Sequence, residues 1–164
     1  EVELVKSRIE AVAARVRTSK GLDFDYKLGV MVETPRAALR ANEIAINSAF
    51  LSFGTNDLTQ MTYGLSRDDA GRFMSTYVQQ GVFPEDPFHT LDVEGVGELL
   101  RLGAERARAS SPEVVISICG EHGGSPEAIA FCRDHGFDYV SCSPFRVPVA
   151  RLAAAQLAIR DQTT

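Results

Sequence analysis

Glu33, Asn56, Asp57 and Cys119 are the residues of this chain whose types suit holding a cation and moving a proton. Glu33 and Asp57 offer hard carboxylate oxygens of the kind that bind Mg²⁺ while leaving positions for water and substrate. Asn56 carries both a donor and an acceptor on one side chain. Cys119 carries a thiol, a group suited to general acid–base work. Each residue also has a plainer use. Asn56 and Asp57 suit an Asx-type turn that caps a short helix. Glu33 suits a helix N-terminus, where negative charge is favoured. Cys119 suits an inert place in a core. Taken one at a time, the residues leave both uses open.

The elements around them tilt the balance. Phe50, Leu51 and Phe53 form a short apolar run, expected to be a strand buried on both sides and ended by Gly54. Gly54, Thr55, Asn56 and Asp57 would then stand at its carboxyl end with backbone N–H groups free to meet an anion. Tyr26 to Thr34 reads as another buried strand, with Glu33 at its carboxyl end and Pro35 opening a helix that runs to Ile46. Val114 to Ile118 is a third strand, ending at Cys119-Gly120-Glu121, and Phe137 to Cys142 a fourth, closed by Ser143-Pro144. Between them the periodicity predicts helices over Val93 to Ala109, from a Ser125 N-cap to Gly136, and over Val147 to Arg160. A leading helix, Glu1 to Lys20, places Leu4, Val5, Ile9, Val12, Ala13 and Val16 on one stripe that should pack on something. Residues 63–92 read as a long loop with one short helix around Asp69 to Gln80.

One helix followed by four strand–helix repeats implies an α/β fold with four parallel strands and right-handed crossovers. Four strands are half of a (β/α)8 TIM-like barrel, so residues 1–164 are read as a single partial domain. In such a barrel the strand ends at Glu33, Asn56-Asp57, Cys119-Gly120-Glu121 and Ser141-Cys142-Ser143 converge on one rim. A half barrel exposes two sheet edges and an apolar inner face, so self-association or a place in a longer enzyme is expected. Opening at Glu1 rather than Met agrees with a processed or excised piece.

The totals exclude some partners. A net charge of -5 without a basic cluster argues against nucleic acid, whose phosphates need local Lys and Arg. No apolar run approaches the roughly 20 residues needed to cross a bilayer, so no membrane partner is expected. Cys119, Cys132 and Cys142 make an odd number without metal-type spacing. With no leader pattern at the start, a reducing cytoplasm is the expected setting.

Three stretches carry a resemblance. They are Gly54-Thr55-Asn56-Asp57-Leu58-Thr59-Gln60 continuing to Gly71, Cys119-Gly120-Glu121-His122-Gly123-Gly124, and Tyr139 to Pro148. Together they resemble the carboxyl-terminal part of the pyruvate, phosphate dikinases, within the enzymes that make or use phosphoenolpyruvate (PEP). The likeness runs from about Lys27 to Gln156. It implies the second half of a TIM-like barrel, with Mg²⁺ held by Glu33 and Asp57. Substrate pyruvate or PEP would be bound by Glu33, Gly54, Thr55, Asn56 and Asp57. Cys119 would be the acid/base at C3 of the enolate. It also implies, elsewhere in the same enzyme, phosphohistidine and nucleotide domains; the self-association expected of a half barrel is read as a homodimer. The whole enzyme would convert ATP, phosphate and pyruvate into AMP, pyrophosphate and PEP.

Other parts of that machinery lie outside this sequence. His89, His122 and His135 lie in no Thr-x-His context, and no Walker-type loop is present. Two phosphate-binding arginines of the family belong to the other barrel half. Ala49 stands where a polar or acidic residue is usual. Complete turnover by this chain alone is therefore not expected. PEP synthase and a non-catalytic dimerisation module are the alternatives. His122 would either hydrogen-bond Cys119 or sit idle in a surface loop. Arg67 would reach phosphate or, the preferred reading, anchor the long loop by ion pairing. Glu121 and Arg146 are expected to be structural or interfacial. Cys132 and Cys142 are expected to be inert.

Overall fold

Four apolar runs become the strands β1 (Gly29–Val32), β2 (Phe50–Gly54), β3 (Val115–Cys119) and β4 (Tyr139–Val140) of one sheet in the computed structural model, which describes residues 1–162. They lie side by side in chain order and pair parallel throughout. Helices fill every crossover: α1 (Val2–Lys20) precedes the sheet, α2 (Pro35–Leu39) and α3 (Ala41–Ala45) link β1 to β2, and α4 (Thr55–Tyr63) leaves β2 directly. The long connection carries α5 (Arg67–Ala70) and α6 (Met74–Gln79) and then α7 (Val96–Ser110), which leads to β3. A 3₁₀ turn over Glu121–Gly124 and α8 (Pro126–Asp134) lead to β4, and α9 (Val147–Gln162) follows it. The sheet is not closed. It is the partial TIM-like barrel that the strand–helix alternation predicts.

One face of the sheet makes the core. Val32, Leu51, Phe53, Ile116 and Ile118 are fully buried against Ala38, Ala41, Leu58, Val96, Leu100 and Ala107 of the covering helices. Burying each large side chain contributes about 1.5–3 kcal/mol, so this layer holds the sheet to its helices. The other face is only partly covered: Ser117 is fully buried and Phe50 and Ser52 are half-buried, but its edges are open. Met31 stays 47% exposed and Tyr139 44%. This corrects the expectation, drawn from near-continuous apolar runs, that the strands are buried on both sides. The face that would line a closed barrel is incompletely covered here. The apolar stripe of α1 is similar: only Ala13 is buried, while Leu4, Val5, Ile9, Val12 and Val16 are 38–61% exposed.

Local chemistry moves several boundaries. β1 is shorter than predicted; ahead of it Arg17 donates to the Phe24 carbonyl and stacks over the Phe24 and Tyr26 rings. At its other end Thr34 leaves the strand to cap α2, accepting from the Ala37 amide. The expected single helix to Ile46 is split at Arg40, which lies outside helical geometry. α7 begins at Val96 rather than Val93, since the Asp92 carboxylate accepts from the amides of Gly95 and Val96. β4 keeps two residues, and just before it the Asp138 side chain accepts from the Ile116 amide. Ser125 caps α8 and Pro126 opens it, as expected.

Candidate functional site

The parallel register assembles the site. Val32 pairs with Phe53, Gly54 with Cys119, and Ile118 with Val140. One residue on, Glu33, Gly54, Cys119 and Ser141 therefore follow one another across the carboxyl end of the sheet. Gly54 is the gap in that row. A Cβ there would lie 2.9 Å from the Cβ of Glu33 and 3.1 Å from its Oε2, so the glycine makes room for the carboxylate. Met31 closes the group from below. Its Sδ would be 3.3 Å from the same Cβ, and it accepts a hydrogen bond from the Cys119 thiol at 3.5 Å.

Because β2 runs into α4 without a loop, Thr55, Asn56 and Asp57 occupy the first turn of that helix. Its first amides lack intrahelical partners and face the rim. The capping role weighed for Asn56 and Asp57 is not seen, since the N-cap position belongs to Gly54 and no side chain caps it. Thr55 is fully buried and donates to the Cys119 carbonyl at 2.8 Å. Asn56 donates through Nδ2 to the Glu121 carboxylate, while its buried Oδ1 has no partner among the described residues. Asp57 is exposed at the start of α4.

Glu33 and Asp57 form no ion pair or side-chain hydrogen bond among the described residues. Mg²⁺ typically takes one or two carboxylates and completes its shell with water and substrate, and this donor set fits that need. Among the described residues no three His, Cys, Asp or Glu side chains gather as a full metal cage. An ion here would share its remaining positions with ligand oxygens.

The 3₁₀ turn after β3 supplies contacts that sequence reasoning missed. Gly120, at φ 106°, lets the chain turn close over α4; a Cβ would come within 2.8 Å of the Thr55 hydroxyl. Glu121 then pairs with Arg67, which supports the loop-anchor reading of Arg67. His122 corrects both expectations for it. It is fully buried rather than a surface residue, and it does not bond the Cys119 thiol. Its Nε2 lies 3.0 Å from the Pro87 carbonyl and its Nδ1 2.8 Å from the Thr55 hydroxyl.

Burial pushes His122 below the usual imidazole value, only partly offset by the Pro87 carbonyl. Burial also pulls Glu121 upward, but donation from Asn56 and Arg67 outweighs it and holds the carboxyl below its usual value. Nothing local in the sequence signals these pairs, because the partners of Glu121 and His122 lie 35–67 residues away.

A cleft of about 740 Å³ opens where β3 and β4 end, lined by Cys119, Gly120, Glu121, Ser141, Cys142 and Ser143 with Phe145 and Arg146. Cys119 is half-buried on that wall, not sealed in the core. Cys132 is buried in α8 and burial pushes its thiol up to about 12, in keeping with an inert residue. Cys142 is half-buried against Ile129, Ala150 and Ala153.

Comparison with known proteins decides the family. The model of the PEP-utilising enzyme, PEP-binding domain, matches residues 1–159. The chain belongs to this family. Pyruvate, phosphate dikinase of Rhizobium meliloti (strain 1021) is 58% identical over 162 residues, which cover 99% of this chain and 18% of that protein. The chloroplastic pyruvate, phosphate dikinase of Flaveria pringlei is 57% identical over 151 residues, 92% of this chain and 16% of the relative. Pyruvate, phosphate dikinase 2 of Zea mays is 58% identical over 151 residues, 92% of this chain and 17% of the relative. This PEP-binding domain thus spans less than a fifth of the length of these relatives. No helix among the described residues is long and apolar enough to cross a membrane.

Proposed function

We propose that this chain is the pyruvate/PEP-binding part of a pyruvate, phosphate dikinase. The observation that carries the reading is the strand-end row of Glu33, Gly54 and Cys119 beside the first turn of α4. Glu33 and Asp57 would hold Mg²⁺, whose positive charge would lie beside the keto oxygen of pyruvate. The first amides of α4 and the second N–H of Asn56 Nδ2 bind the substrate carboxylate, where the helix N-terminus favours negative charge. Cys119 sits on the cleft wall at the other side of Gly54. As a thiolate it takes a proton from C3 of pyruvate; as a thiol it returns one to C3 of the enolate. Its hydrogen bond to Met31 aims the sulfur along the incompletely covered face of the sheet. Phosphoryl transfer from ATP and phosphate belongs, in this reading, to further domains of the same enzyme. The incompletely covered sheet face and the exposed stripe of α1 support contact with those parts or with a second copy in a homodimer.

Calorimetric titration with oxalate, a planar mimic of the pyruvate enolate, tests this. Binding that requires Mg²⁺ and disappears in Asp57→Ala supports the site. Binding that ignores Mg²⁺, or survives in Asp57→Ala, overturns the assignment of the carboxylates. No binding by the folded chain overturns the claim that this chain builds the site unaided.

A further inference from the structure

Two of the three polar side chains in the first turn of α4, Thr55 and Asn56, are held by the 3₁₀ turn after β3. Glu121 accepts from Asn56 Nδ2 on one oxygen and from the Arg67 guanidinium on the other. Its neighbour His122 sits between the Thr55 hydroxyl and the Pro87 carbonyl. Two adjacent residues therefore each join one α4 side chain to one point of the 63–92 connection.

We propose that Glu121 and His122 are a positioning pair for the substrate-binding end of α4. Glu121 sets which edge of the Asn56 amide faces the ligand, and His122 sets the Thr55 hydroxyl beneath the Cys119 peptide. The proposal rests on the PEP-binding reading for what those oriented groups bind.

Hydrogen-bond chemistry selects this arrangement. A carboxylate only accepts, so the Asn56 edge facing Glu121 must be its NH₂. Flipping the amide would set two oxygens against each other. With the NH₂ fixed, one N–H goes to Glu121 and the second is left for an anionic ligand. A bare carboxylate beside an anion site would repel the ligand. Arg67 on the second oxygen of Glu121 balances that charge. His122 works similarly on Thr55. The Pro87 carbonyl only accepts, so Nε2 donates to it and the ring is fixed in the NεH form when neutral. The single hydroxyl proton of Thr55 then faces two acceptors, His122 Nδ1 and the Cys119 carbonyl, each at 2.8 Å. That proton reaches one acceptor at a time, and when it points at the Cys119 carbonyl the Thr55 hydroxyl supports Cys119 through its backbone, not its thiol. Because Arg67 and Pro87 both belong to the long connection, displacing that segment would release both α4 side chains together.

The test pairs spectroscopy with binding on the full chain. In ¹⁵N spectra the Asn56 side-chain amide should shift in Glu121→Gln, and Mg²⁺-dependent oxalate affinity should fall about 10-fold or more, as for other residues that orient ligand groups. Glu121→Asp, which keeps the charge, serves if Glu121→Gln fails to fold, and its shorter reach should move the same signal. For His122 two isosteric variants divide the roles. His122→Asn keeps an amide where Nδ1 meets Thr55 and should hold oxalate affinity within about threefold. His122→Gln keeps one where Nε2 meets Pro87 and should lose about tenfold. Unchanged Asn56 signals in both Glu121 variants overturn the pair, whether or not oxalate binds. Moved signals with unchanged affinity overturn its positioning role, as does retention in His122→Gln with loss in His122→Asn. If the folded wild-type chain binds no oxalate, the claim that it builds the site unaided fails and the ligand part of the proposal falls with that claim. The Asn56 spectrum then still decides whether the hydrogen bonds exist.

Discussion

Gly54→Ala is a minimal perturbation of the candidate site, and the structure gives its consequence. The added Cβ would lie 2.9 Å from the Glu33 Cβ, 3.1 Å from Glu33 Oε2 and 3.3 Å from Met31 Sδ. The first of these atoms is tied to the β1 backbone, so a rotamer change cannot relieve the contact; the end of β1 must move. Backbone strain at Gly54 itself is small, because φ -79° and ψ 90° are open to alanine. The cost is therefore overpacking, about 1–3 kcal/mol. For a chain of 164 residues this lowers Tm by roughly 2–4 °C per kcal/mol. Displacement of the Glu33 carboxylate should also weaken Mg²⁺-dependent oxalate binding about 10- to 100-fold, the usual range for disturbed metal-site support. Thermal unfolding followed by circular dichroism and calorimetric titration read the two effects. Gly71→Ala is the control, since a Cβ there meets nothing within 4 Å, and it should match wild type in both assays. Wild-type Tm and affinity in Gly54→Ala would refute the reasoning, because Glu33 could not then occupy the space beside position 54.

Further outcomes follow from burial and capping. His122 is held below its ordinary pKa by burial, so the unfolded chain binds more protons between the folded value and about 6.5. Stability should fall as pH drops through that window, and urea unfolding of wild type and His122→Asn at paired pH values should show a smaller loss in the variant. Cys132, pushed up to about 12 by burial, should resist iodoacetamide in the native protein and react only on unfolding, as read by mass spectrometry. Ser125→Ala removes the side chain that accepts from the Ala128 amide at the start of α8, and should cost about 1 kcal/mol in chemical unfolding.

Much of the scaffold is decided locally. The alternation of short apolar runs with helix-forming stretches dictates a parallel α/β sheet, and Ser125-Pro126 marks the start of α8 by its own capping chemistry. The carboxyl-terminal placement of Glu33, Gly54 and Cys119 is legible in the same way, because each closes an apolar run. What sequence alone does not determine is which side chains touch. That Gly54 is the space for Glu33 depends on the register of β1 against β2, a property of paired backbones. Met31 meets Cys119 only because strand alternation turns both to the incompletely covered face of the sheet. Strand length escapes too: β4 stops at two residues with the Asp138 side chain on the Ile116 amide, and β1 begins only at Gly29, after the Phe24 and Tyr26 contacts to Arg17. His122 is the clearest case. Among glycines and beside a glutamate it reads as a loop residue, yet it is fully buried between Pro87 and Thr55. Composition and periodicity act over a turn or a strand. Hydrogen bonds that span 35–67 residues exist only once the chain has folded back on itself, and it is those bonds that orient the groups of the candidate site.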